Sequence, residues 1–162
     1  MTLLDIMDQN VKKDEKKYMI VDGIKNNEIS IDDIKDNKDK FLDKDFIVIF
    51  EALFNISKHR PELSNSHWLS FLKHYLLSSN NSIKKEVLLI IGNIASLYPN
   101  NLDDVLKKVL KCEASTKELQ LVKYDTLTKI VKLDKYKDSE YALEVKKIGE
   151  DLVANSSGIL NF

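Results

Sequence analysis

The sequence predicts an all-α chain, a short solenoid of stacked antiparallel helix pairs. Three observations predict it. First, there are 4 Gly and 2 Pro in 162 residues, where average usage gives about eleven and about eight. So few turn-forming residues cannot supply the many tight turns of a β-sandwich or barrel. Second, apolar residues recur at steps of three and four almost everywhere after residue 43, which is the period of a helix burying one face. Third, the two prolines, Pro61 and Pro99, stand at the same phase of an internal repeat, 38 residues apart. The 43% hydrophobic content is enough for a single domain with a real core.

The elements follow in order. Residues 1 to 42 read as atypical N-terminal helices with a thin apolar stripe. They comprise a turn or two over Thr2 to Met7, a segment around Tyr18, Met19, Ile20, Val21 and Ile24, and a short one opening at Ser30. Phe46, Ile49, Phe50, Leu53 and Ile56 build a long helix that ends near Arg60-Pro61, because Pro disfavours helical geometry in the residue before it. Ser64-Asn65-Ser66 offers N-cap residues for a helix holding Trp68, Leu69, Phe71, Leu72, Tyr75 and Leu76. Ser82 is the expected N-cap of the next helix, with Glu86 near the capping-box position and Ile83, Val87, Ile90, Ile91 and Ile94 on its apolar face. That helix stops at Tyr98-Pro99-Asn100-Asn101. Leu102 to Leu110 make another, Ser115-Thr116 opens the next, and Asp138 or Ser139 opens the last, which is expected to end at Ser156-Ser157-Gly158.

The repeat appears when these helices are aligned. Leu53 to Pro61 matches Ile91 to Pro99 without gaps, pairing Asn55 with Asn93 and Ile56 with Ile94. A third copy lies 36 residues further on, where Leu127, Ile130 and Leu133 match Ile91, Ile94 and Leu97, with Lys135 in place of the proline. The second helices align too: Leu72-Lys73-His74-Tyr75, Leu106-Lys107-Lys108-Val109 and Val145-Lys146-Lys147-Ile148. Helix pairs recurring at such spacing read as a stacked α-solenoid. This gives one domain, 1–162, with helix-pair repeats at 43–81, 82–114 and 115–155 and a tail at 156–162.

From residue 43 to 155 the chain resembles the HEAT repeats of the armadillo-like superfamily. Ile83 to Ile94 is similar to a HEAT first helix, with Gly92 as its small residue, and Pro99 sits where that family often breaks between helices. Phe54 and Thr128 depart from the pattern at the Gly92 position. The resemblance implies a right-handed α-α superhelix whose second helices line a concave face. It implies no particular function, since such arrays serve many roles.

On that face the resemblance places Lys73 and His74, then Lys107, Lys108 and Lys111, then Lys146 and Lys147. They form a ladder with about 10 Å between helices. Such a ladder suits an acidic partner surface, and these seven residues are the candidate partner-binding set. The same lysines also read as an ordinary solvated helix face in a chain with 24 Lys. Overall charge is −1, from 25 Lys+Arg against 26 Asp+Glu, which disfavours a nucleic-acid-coating protein. The single Arg, Arg60, is a poor supply for clamping phosphate. Residues 1 to 45 are acidic, 12 Asp+Glu against 9 Lys.

Other chemistry is thinly represented. His67 and His74 lie two helical turns apart, about 10 Å along the axis, too far to share a metal alone. Cys112 is a lone cysteine, expected to be inert and partly buried. Trp68 reads as a core residue between repeats. The glycines are isolated, so no phosphate loop forms. No catalytic constellation, metal or cofactor is predicted. No apolar run approaches the roughly 20 residues of a membrane span, no signal peptide is recognised at the N-terminus, and a cytoplasmic location is expected. The functional expectation is a non-enzymatic interaction or scaffold module that binds another protein, one with an acidic surface. The alternatives are a HEAT-like DNA-binding protein or a glycosylase-type enzyme, or a subunit completing a larger complex.

Overall fold

The computed structural model describes residues 1–160, with side chains described as far as residue 155. The described residues are helical, without strands, as the composition and period predicted. Helices α1 (Leu3–Met7), α2 (Lys13–Lys25) and α3 (Ile31–Asp36) occupy the region that showed the weakest pattern. Local chemistry explains two of their starts. Thr2 and Asp5, and again Ser30 and Asp33, form reciprocal capping boxes in which hydroxyl and carboxylate each accept a main-chain N–H. Helix α2 ends in a Schellman turn. Asn27 takes φ 60°, and the Glu28 N–H donates to the Gly23 carbonyl at 2.8 Å.

The remaining helices are α4 (Asp43–His59), α5 (Ser66–Leu72), α6 (Asn81–Ile94), α7 (Asp103–Lys111), α8 (Lys117–Val131) and α9 (Glu140–Leu160). A 3-10 turn, Lys73–Leu77, tightens the end of α5. The two prolines each open a 3-10 turn, and the residues before them share one backbone conformation. Arg60 has φ −138° and ψ 57°, and Tyr98 has φ −131° and ψ 56°.

Two expectations are corrected. Asn80, not Ser82, caps α6, its side-chain oxygen accepting from the Ser82 and Ile83 N–H groups at 3.0 and 3.2 Å. Asn80 precedes the helix in extended geometry, which lets its short amide reach back over the first turn. Helix α9 does not stop at Ser156-Ser157-Gly158 but runs to Leu160, so most of the expected tail is helical. Asn161 and Phe162 of that tail lie outside the described residues.

Packing arranges the helices in two rows. In one, α2 lies on α4, α4 on α6, and α6 on α8. In the other, α3 meets α5, and the turn after α5 meets α7, while α9 packs on α8. Residues 1 to 42 therefore add one helix to each row, α2 on α4 and α3 on α5. The apolar positions paired by the sequence alignment share one fate. Leu53, Ile91 and Leu127, and likewise Ile56, Ile94 and Ile130, are fully buried. Each such side chain contributes roughly 1.5–3 kcal/mol relative to an exposed one. Trp68 is buried as expected, and Phe46, Phe50, Phe71 and Tyr75 form an aromatic cluster where α4 meets α5.

Polar links tie one pair to the next. The Asn93 amide donates to the Ser57 hydroxyl at 3.1 Å, and the Ser64 and Tyr98 hydroxyls meet at 2.8 Å. Two ammonium groups cap the carbonyl end of α7. Lys84 donates to Glu113 O at 3.0 Å, and Lys123 donates to Leu110 O and Cys112 O at 2.9 and 2.7 Å. Cations there complement the negative end of the helix dipole. Among the described residues, no helix is long and apolar enough to cross a membrane.

Candidate functional site

The charged groups of the second row converge where α3, α5 and α7 lie side by side. Helix α7 buries Val105, Leu106 and Val109 and turns Asp103, Asp104, Lys107 and Lys111 outward, with Lys108 at the margin. Its first turn carries the two acids, as the positive end of its dipole favours. Asp104 sits between Lys73 at 2.8 Å and Lys108 at 3.3 Å. Hydrogen bonds from these two lysines hold its carboxyl below the usual range. Asp103 accepts from the Tyr136 hydroxyl and pairs with Lys135 at 3.3 Å. These contacts lower its carboxyl likewise, and burial together with the Asp103 contact raises the Tyr136 phenol.

His74 reports the potential of this corner. Its imidazole is held below the ordinary value, first by burial and then by the charges of Lys108, Lys73, Lys38 and Lys35. The neighbouring Tyr75 hydroxyl is pushed up to about 12, by burial and then by Asp39. Nearby acids are partly committed, Asp104 to its two lysines and Asp32 to His67 at 3.7 Å.

The predicted ladder divides on this geometry. Lys73, His74 and Lys108 come together. Lys107 is exposed beside Asp103, whose carboxyl it helps to lower. Lys111 is exposed at the far end of α7. Lys146 and Lys147 are exposed on α9, which is seated on α8. Lys35 and Lys38 are the residues that sequence reasoning missed. The signal was in the spacing, since Lys35 precedes Lys73 by 38 residues, the same interval as the prolines. It was overlooked because α3 has only six residues and its apolar stripe is Ile31 and Ile34 alone.

Elsewhere, Cys112 is buried and burial pushes its thiol up, so little thiolate forms. Among the described residues, no group of three His, Cys, Asp or Glu side chains is placed to hold a metal ion. What the basic corner can do chemically is attract and orient anions. Lysine ammoniums are mobile point charges suited to dispersed carboxylates, and lack the fixed fork that arginine offers to phosphate. Comparison with family models, curated proteins and solved structures yields no match.

Proposed function

We propose that this chain is a non-enzymatic interaction module, a short HEAT-like solenoid of the armadillo type that binds an acidic surface of a partner protein. The face it uses is built by the second helices α3, α5 and α7, which is the concave face in the resembled family. The observation that carries this reading is the meeting of Lys73, from the turn after α5, and Lys108 of α7 at the single carboxylate of Asp104, at 2.8 and 3.3 Å; Lys38 and Lys35 add their charge at the neighbouring His74. Asp104 is shared by two lysines and so compensates only one of their charges, and an acidic partner meets the excess that remains. The row of α2, α4, α6 and α8 supplies the rigidity, and the absence of a need for catalytic groups suits a scaffold role. The net charge of −1 favours a local acidic contact over wrapping by a nucleic-acid backbone.

The test is affinity capture from the native host with wild-type protein and with a Lys35→Glu/Lys38→Glu/Lys108→Glu variant. The expected outcome is a specific partner that is retained at low salt, released at moderate salt and lost by the variant, since a Debye length of about 8 Å at physiological ionic strength screens such contacts. Equal capture by both proteins overturns the reading. Binding of a labelled DNA duplex with a steep salt dependence moves it to the nucleic-acid class.

A further inference from the structure

A second basic site lies where α2 packs on α4. Lys13 and Lys16 of α2 and Lys40 and Lys44, which flank the start of α4, line a groove of about 470 Å³. Met7, Val11 and Val48 also line it, and Leu42 stands at its edge, 64% exposed. Two of the lysines are held in place, Lys13 by Glu51 at 2.8 Å and Lys16 by the Met7 carbonyl at 2.7 Å. Lys40 and Lys44 make no ion pair among the described residues. The one carboxylate in the lining, Asp45, is occupied by the Leu42 N–H at 2.9 Å.

Leu42 breaks a local rule. It is the N-cap of a 17-residue helix, a position where Ser, Asp or Asn is strongly preferred, and it makes no side-chain cap bond. It also exposes a large apolar side chain between two lysines. Breaches of local preference without a packing gain concentrate at functional sites. Lys16, Lys40 and Lys44 around an apolar surface, with Lys13 already paired to Glu51, match an anion that carries its own apolar part. Flexible lysines without an arginine fit carboxylates spread along a segment better than a planar phosphate.

We infer that this groove binds an acidic peptide segment of a partner protein. Its carboxylates would face Lys40 and Lys44, and an apolar side chain would rest on Leu42 and Val48. The two sites share no lining residue, and although Lys38 and Lys40 belong to one 3-10 turn, the inference does not depend on the pair of Lys73 and Lys108 at Asp104.

The experiment is fluorescence anisotropy on the full chain, using a fluorescein-labelled octapeptide, Glu-Glu-Leu-Glu-Glu-Leu-Glu-Glu. Saturable binding is expected, weakened about tenfold or more by Lys40→Glu/Lys44→Glu and left unchanged by Lys73→Glu/Lys108→Glu. Leu42→Ser keeps the test independent of folding, since it improves the helix cap and is expected to raise the melting temperature while weakening the peptide. No saturable binding, or equal affinity for wild type and Lys40→Glu/Lys44→Glu, overturns the inference. So does equal binding of an all-Glu octapeptide, displacement by millimolar inorganic phosphate, or binding only to phosphatidylglycerol vesicles.

Discussion

The Thr126 hydroxyl on α8 donates to the main-chain carbonyl of Leu88 on α6 at 2.8 Å, in a site that is 1% exposed. The two residues are 38 apart, one repeat interval. A side chain thus reaches the backbone of the preceding first-row helix and sets the height of one helix on the next. Thr126→Val keeps the shape and removes the donor. It is expected to cost about 1–2 kcal/mol in urea unfolding, because a buried hydroxyl bond is lost while the carbonyl keeps capacity for its helical partner. An unchanged midpoint would show that the bond does not contribute to stability.

Two helical glycines are expected to respond with opposite signs. A Cβ at Gly23 would lie 2.5 Å from Ile29 Cδ1, and Ile29 is buried in the core. Gly23→Ala is therefore destabilising, by about 1–3 kcal/mol for an overpacked site. At Gly92 the nearest atom is the Lys129 side chain at 3.3 Å, which can swing away. Gly92→Ala then gains most of the helix-propensity difference, up to about 1 kcal/mol. The small residue of the HEAT-like pattern is thus a tolerant position here, and a lowered melting temperature for Gly92→Ala would contradict that.

Glu86 predicts a pH dependence. Its Oε2 is buried without a hydrogen-bond partner. Its carboxyl is raised, first by burial and then by Glu51 of α4, against the opposing charges of Lys85 on its own helix and Lys13 and Lys17 of α2. A carboxyl raised in the folded state favours the protonated form, so this group adds stability as the pH falls through its raised value towards the ordinary 4.5. Above that range its charge is a liability. Glu86→Gln is expected to stabilise the protein at pH 7 by up to about 1 kcal/mol, reduced by the partial exposure of the site. The advantage should disappear near pH 4. A variant equal to wild type across both pH values would remove the effect.

Ile91 tests the helix phase. It is fully buried on α6 between α4 and α8. Ile91→Asp buries an unpaired carboxylate and is expected to cost several kcal/mol, enough to unfold a domain of ordinary stability. A cooperative, native-like melt of this variant in circular dichroism would contradict the assigned packing.

Particular residues show how much the sequence disclosed. The phase of Leu53, Ile91 and Leu127 was legible because burial repeats with the helical period. The caps at Thr116 and Ser139 were legible because hydroxyls before an apolar run bind the first N–H groups. Ser82 was mistaken for a cap because Asn80 and Ser82 both flank the break and only the backbone angles choose between them. Leu42 was missed altogether, since a leucine carries no capping signal to find.

By itself the sequence determined the helical class and which face of each helix is apolar, because these are local consequences of residue spacing. It could not decide which charges meet. Lys73 and Asp104 are 31 residues apart in the chain and 2.8 Å apart in space. Coulombic attraction depends on distance across helices, and that distance is set by how the rows pack. Only the tertiary structure brought Lys73 and Lys108 together at Asp104 and gathered four lysines at Leu42.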